Sequence, residues 1–203
     1  MQPVAHILIL AAGASSRMRG ADKLLQGIDG RPILRRVAEV ALATGAPVTV
    51  TLPAEADARR ATLSGLAVRI IEVPDASLGM SRSLVRGIAA ILAGTPGSDD
   101  GIMILPADMP GFTPEALSDL ITRFKAEPQH IWRGGTEDGQ IGHPTIFPRA
   151  FWPALSTVTG DEGGRSVVQA HRDRVRVLPL PGHMATLDLD TPEDWAAYLA
   201  RPG

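Results

Sequence analysis

The chain has 203 residues, 44% of them hydrophobic, and a formal charge of -2. That length suits one substantial core and is short for two, and the near-balanced charge gives no global pull toward nucleic acid or an anionic membrane surface. Cysteine is absent, which excludes disulfides, thiolate zinc sites and cysteine nucleophiles and fits a reducing compartment. No apolar stretch approaches the ~20 residues that span a bilayer, and the start lacks a secretory signal pattern, so a cytoplasmic protein without membrane partners is expected.

In chain order, apolar runs at 6–10, 48–52, 68–73 and 102–105 suit strands buried on both faces. The intervening stretches 32–44, 55–63 and 81–93 carry apolar residues at threes and fours, as amphipathic helices do. This alternation predicts parallel strands joined by helical crossovers, a doubly wound α/β fold in three layers with its sites at the carboxyl ends of the strands. Thr113-Pro114-Glu115 signals a further helix start, with threonine as cap and proline in the first turn. Beyond it the rhythm loosens. A return pair of short strands is expected within 128–147, a helix around 163–172, strands near 174–179 and 185–189, and a last helix opening at Thr191-Pro192-Glu193-Asp194. One domain is expected over 1–203, with a half at about 1–112 and a second half grown onto it at about 113–203.

Chemistry-bearing residues gather at strand exits. Directly after the first strand come Gly13, Ser15, Ser16, Arg17, Gly20 and Lys23: glycine admits backbone N–H groups to an anion, and the cations supply charge-assisted donors for phosphate. There is no Gly-x-Gly-x-x-Gly, and the lysine lacks the flanking residues of a P-loop. An ordinary basic turn uses the same residues. After the fourth strand, Asp108 stands between Pro106 and Pro110, where a hard cation such as Mg²⁺ could bridge it to phosphates, or where it could serve only the turn. Asp188 and Asp190, two apart, would point the same way on an extended strand and offer a second carboxylate; Asp190 as a turn or capping acceptor is the alternative. Gly79, Ser81 and Ser83 lie at a loop-to-helix junction, with Ser81 as a possible N-cap. Gly142-His143-Pro144 enters a strand, and Gly160, Asp161, Gly164 and Arg165 form a second glycine-rich turn bearing a guanidinium.

Taken in order, "LAAGASSRMRGADKLL", "GMSRSL", "LPADMP", "GHP", "GDEGGR" and "DLDTPED" resemble the nucleotidyltransferases of the molybdenum-cofactor type, relatives of the sugar-nucleotide pyrophosphorylases, over nearly the whole chain. The resemblance implies a Rossmann-like, mostly parallel sheet of the nucleotide-diphospho-sugar transferase kind. It implies Mg²⁺-dependent transfer of a nucleoside monophosphate from an NTP to the terminal phosphate of molybdopterin, with release of pyrophosphate. Carried over residue by residue, Leu10, Ala11, Ala12, Gly13, Ser15, Ser16, Gly79, Ser81, Ser83, Pro106 and Ala107 would receive the nucleotide. Arg17, Lys23 and Asp108 would be catalytic, Asp108 with Asp190 or Asp188 would hold the metal, and Gly142, His143, Pro144, Asp161, Gly164 and Arg165 would face the acceptor.

"LAAG" and "PADMP" are similar to the cytidylyl branch, where the guanylyl branch carries Leu-Ala-Gly-Gly and Pro-Cys-Asp, so CTP is the expected donor and GTP the alternative. The family commonly reads Arg-Met-Gly-Gly, and Arg19 stands in place of the first of those glycines; a left-handed backbone is therefore not expected there, and a further phosphate-facing charge is. The rival readings are the same chemistry on another phosphate acceptor, and a non-catalytic protein that binds cofactor for a molybdenum hydroxylase.

Overall fold

Strand β1 (Ala5–Leu10) lies in the middle of the sheet because every residue from Ile7 to Ile9 is shielded on both faces, each with no exposed surface. The computed structural model describes residues 2–200. In chain order the elements are β1, β2 (Gly27–Ile28), β3 (Arg31–Pro32), α1 (Ile33–Ala43), β4 (Val48–Pro53), α2 (Asp57–Thr62), β5 (Arg69–Val73), α3 (Met80–Leu92), β6 (Gly101–Pro106), α4 (Pro114–Ala126), β7 (Ile131–Thr136), β8 (Ile141–Pro148), α5 (Trp152–Leu155), α6 (Arg165–Ala170), β9 (Val175–Leu180) and α7 (Pro192–Leu199).

Seven strands form one sheet in the order β5-β4-β1-β6-β8-β7-β9, while β2 and β3 make a separate small ribbon. Strands β5, β4, β1 and β6 run parallel, β8 is antiparallel to both neighbours, and β9 is parallel to β7. The mostly parallel, doubly wound sheet expected from the apolar rhythm is therefore present. Buried residues of α1 (Ile33, Leu34, Val37, Ala38 and Ala41) and of α4 (Leu117, Leu120 and Phe124) pack on one face beside Ile7 and Ile9. Leu84 and Ile88 of α3, with Trp152 of α5 and Val167 of α6, cover Leu8 on the other. A Cβ at Gly87 would stand 2.4 Å from Leu8 Cδ1, so glycine is what lets α3 seat closely on β1.

Thr113 caps α4 by accepting from Ala116 N, and Thr191 and Asp194 close a reciprocal capping box at α7, as their sequence signals predict. The strand expected near 185–189 is not formed. Its backbone is spent on turns, with Met184 N donating to Pro181 O and Thr186 N and Leu187 N both donating to His183 O. Among the described residues no helix is long and apolar enough to cross a membrane.

Candidate functional site

Because β1 and β6 are neighbours in register, with Leu10 opposite Pro106, the loops that leave them emerge side by side. Ala107 N donates to Leu10 O, and Ala11 N donates to Thr51 O at the adjoining end of β4, so both exits are tied to the sheet. From β1 the chain makes two short 3-10 turns, Ser16–Met18 and Lys23–Leu25, the second opened by Asp22, whose carboxylate accepts from Leu24 N.

The loop is braced from below by a buried cation. Arg59 of α2, 5% exposed, donates through Nε to Asp22 Oδ2 (2.6 Å) and through Nη2 to Asp22 Oδ1 (2.9 Å), a bidentate pair, while Nη1 donates to Ala11 O (2.7 Å) and Nη2 also reaches Ser15 Oγ (3.3 Å). One guanidinium thus joins the start of the loop to its end. Sequence reasoning missed Arg59 and Asp22. The available signal was positional: Arg59 lies three residues after Ala56 and four before Leu63, both buried, and so on the apolar side of its helix.

This brace sets Lys23 under the strand ends. Its Nζ donates to Asp108 Oδ2 (2.5 Å) and to Asp190 Oδ1 (2.5 Å), and Arg17 donates to the other oxygen of Asp190. Burial alone would lower Lys23, but Asp108 and Asp190 outweigh it and hold the ammonium above its ordinary value. The C-terminal segment reaches this edge because Leu189 N donates to Asp108 O (3.0 Å). Asp190 is not the helix cap, since Thr191 and Asp194 fill that role. Desolvation, then Asp190 and Asp108, push the Asp188 carboxyl upward, with Lys23 opposing.

Among the described residues no three His, Cys, Asp or Glu side chains close into a cage of their own. Asp108 and Asp190 are two neighbouring carboxylates, the kind of hard oxygen donors that could share a divalent cation with the phosphates of a ligand.

Arg19 differs from expectation in both respects. Its backbone is left-handed at φ 51°, closing the turn Ser16–Met18 just ahead of Gly20 at φ 94°, and its side chain donates to Glu193 Oε1 (2.7 Å) of α7. The turn geometry imposes the conformation, and a carboxylate across the gap takes the charge.

The other candidates fall into two groups. Gly79 (φ 115°) precedes α3, and a Cβ there would stand 2.6 Å from Gly160 O; Met80 N donates to Asp161 Oδ1 (3.0 Å) and Ser81 N to Gly160 O (3.0 Å). The "GMSRSL" and "GDEGGR" stretches therefore meet. Ser81 is not the N-cap: α3 starts at Met80, and Ser81 and Ser83 are buried within its first turns. Asp161 and Arg165 line a surface cavity of about 400 Å³. Gly164 packs its backbone on the Phe147 ring and Gly142 on Ala185 O, so close approach accounts for glycine at both. His143, joined to Pro144 by a cis peptide, is driven down to about 4 by burial and then by Arg133, with Asp108 opposing, and is neutral at pH 7.

A family model described as a MobA-like NTP transferase domain matches residues 7–175. The chain belongs to that family. This MobA-like chain is 28% identical to the nicotine blue oxidoreductase of Paenarthrobacter nicotinovorans over 92% of both chains. It is 32% identical to a 2-C-methyl-D-erythritol 4-phosphate cytidylyltransferase of Ralstonia nicotianae, covering 93% of this chain and 88% of that one. To a molybdenum cofactor guanylyltransferase of Rhodopseudomonas palustris it is 32% identical over 74% of this chain and 68% of the other. Among solved structures it is similar to Rv0371c of Mycobacterium tuberculosis, at TM-score 0.86 and 28% identity over 99% of this chain and 100% of that one. The manganese complex of that protein aligns at TM-score 0.81 with 27% identity over the full length of both. The fold is that of the nucleotide-diphospho-sugar transferases, and the MobA-like chain is a nucleotidyltransferase by type.

Proposed function

We propose that this protein transfers CMP from CTP to the terminal phosphate of a molybdopterin-type acceptor and releases pyrophosphate. The observation that carries the reading is the convergence of Lys23 and Arg17 with Asp108 and Asp190 beside the ends of β1 and β6, two cations and two carboxylates on one edge of the sheet. The half at 1–112 receives the nucleotide on Leu10 to Ser16, Gly79, Ser81, Ser83, Pro106 and Ala107. The half at 113–203 receives the acceptor near Gly142 to Pro144 and Asp161 to Arg165.

In the reaction an acceptor phosphate oxygen attacks the α-phosphorus of CTP, and the bond from that phosphorus to the β-phosphate oxygen breaks. Lys23 and Arg17 exchange their carboxylate partners for phosphate oxygens and hold the negative charge of the departing pyrophosphate. Asp108 and Asp190 would hold Mg²⁺, which when bound supplies charge neutralisation across the phosphates. No protein base is needed, because a phosphate monoester is already largely ionised at neutral pH.

CTP is favoured by Ala12, where the guanylyl branch has glycine, and by a relative named as a cytidylyltransferase. GTP is the second reading, favoured by relatives named as guanylyltransferases. Thermal shift with CTP, GTP, ATP and UTP, each with and without Mg²⁺, separates them: saturation at ~100 times Kd stabilises by roughly 2.7 kcal/mol. Absence of a shift with every nucleotide would remove the reading. Pyrophosphate release on adding molybdopterin then distinguishes an enzyme from a protein that only carries cofactor to a molybdenum hydroxylase.

A further inference from the structure

Three strands along from β1, roughly 14 Å at ~4.8 Å per strand, β7 carries a half-buried cation that the Lys23 cluster does not use. Arg133 donates from Nε to Thr145 Oγ1 (3.2 Å) and from Nη2 to Gly142 O (2.9 Å), both neutral acceptors. Among the described residues no carboxylate pairs with it, and desolvation alone lowers it from its ordinary value. A guanidinium has five N–H donors, and two of those on Arg133 are used in these bonds, which leaves three. By contrast, the sheltered cations Arg59 and Lys23 have anions, Asp22 for the first and Asp108 with Asp190 for the second. A sheltered positive charge without one is costly unless a ligand brings it.

Beside it is a second unsatisfied group. Arg133 lies opposite Thr145 in the β7–β8 ladder, and His143, two residues before Thr145 on β8, is near enough to feel the guanidinium charge. His143 Nδ1 is buried with no hydrogen-bond partner. The ladder shifts register between Arg133 and Gly135, the kind of irregularity that re-aims side chains next to sites. A neutral ring with a free nitrogen next to an unpaired guanidinium offers an anion both a hydrogen bond and a countercharge.

We propose that Arg133, with His143, forms a phosphoryl-anion subsite that receives the phosphate of the acceptor. The inference rests on the nucleotidyl-transfer reading, because joining a nucleotide to a phosphate ester brings two anionic groups together and the β1 loop supplies cations for one. Arg133 supplies the second, on the far side of β6, and its neighbour His143 is close enough to Asp108 to feel that carboxylate.

The test is titration calorimetry of the full chain with inorganic phosphate, and separately with CTP and with GTP in Mg²⁺, on the natural protein, Arg133→Met, Arg133→Lys and Lys23→Met. Arg133→Met is expected to weaken phosphate binding by about tenfold or more, the scale of a charge-assisted hydrogen-bond pair, and to leave nucleotide affinity unchanged. Lys23→Met is expected to do the reverse. Arg133→Lys keeps the charge but not the fork and is expected to fall between; if the methionine variant does not fold, the lysine variant decides. Phosphate binding that is absent in the natural protein, or untouched in the Arg133 variants, overturns the subsite. A parallel loss of nucleotide affinity assigns the anion to the nucleotide and overturns the acceptor role. Phosphate binding that depends on Arg133 in a protein that binds no nucleotide keeps the subsite and removes the nucleotidyl reading instead.

Discussion

Lys23 Nζ lies 2.5 Å from Asp108 Oδ2, across 85 residues of chain, and the same ammonium holds Asp190 from near the C-terminus. Three distant segments are thus joined at one charged point. Replacing Asp108 with asparagine removes a formal charge while leaving an acceptor for Lys23. In Asp108→Asn, turnover is expected to fall by about a hundredfold or more, with a smaller change in nucleotide affinity because Lys23 and Arg17 remain. Steady-state pyrophosphate release beside calorimetric nucleotide binding checks this, and comparable turnover would take Asp108 out of the mechanism.

Arg59 carries the loop on its guanidinium, so its loss is expected to be felt as both stability and binding. Arg59→Met takes the countercharge from Asp22 and the side-chain donor from Ala11 O, and is expected to cost about 2 to 3 kcal/mol in a urea melt. Nucleotide affinity should weaken too, since Lys23 follows Asp22 directly. Arg59→Lys cannot reproduce the bidentate contact and is expected to recover only part of either loss.

At Arg19 the left-handed backbone costs a side-chain-bearing residue roughly 1 kcal/mol that glycine avoids. Arg19→Gly is therefore expected to be more stable than Arg19→Ala by about that amount in denaturant melts. Equal stability of the two variants would mean that the loop relaxes out of this conformation.

His143 makes stability depend on pH. Its folded value of about 4 lies below its ordinary 6.5, so between these the unfolded chain binds the proton and the folded chain does not. The contribution is fully present above pH 6.5 and is lost as pH falls toward 4, roughly 3 kcal/mol in all. The difference in stability between the natural protein and His143→Gln, followed by urea melts from pH 7 to 4.5, should shrink as the pH falls. A pH-independent difference would place the ring in contact with solvent.

Much of the fold was legible because a strand covered on both faces must be apolar throughout: 6–10 and 102–105 announce β1 and β6 within a residue or so. Helix starts at Thr113 and Thr191 were legible for a local reason, since a hydroxyl cap and a proline act within one turn. The stretch 185–189 misled because alternating Leu and Asp suits an extended chain equally in or out of a ladder, and strand pairing is a matter of neighbours. Arg19 misled because its conformation is set by the turn around it and its partner by α7.

The candidate site divides along the same line. Sequence alone determined which residues could meet a phosphate or a metal, Arg17, Lys23, Asp108 and Asp190 among them, because charge and donor chemistry belong to the side chain. Only the tertiary structure decided that these four share one edge, that Arg59 braces the loop and that Arg133 is sheltered without an anion. Those are facts of burial and pairing, and the energy of a charge depends on what surrounds it more than on where it falls in the chain.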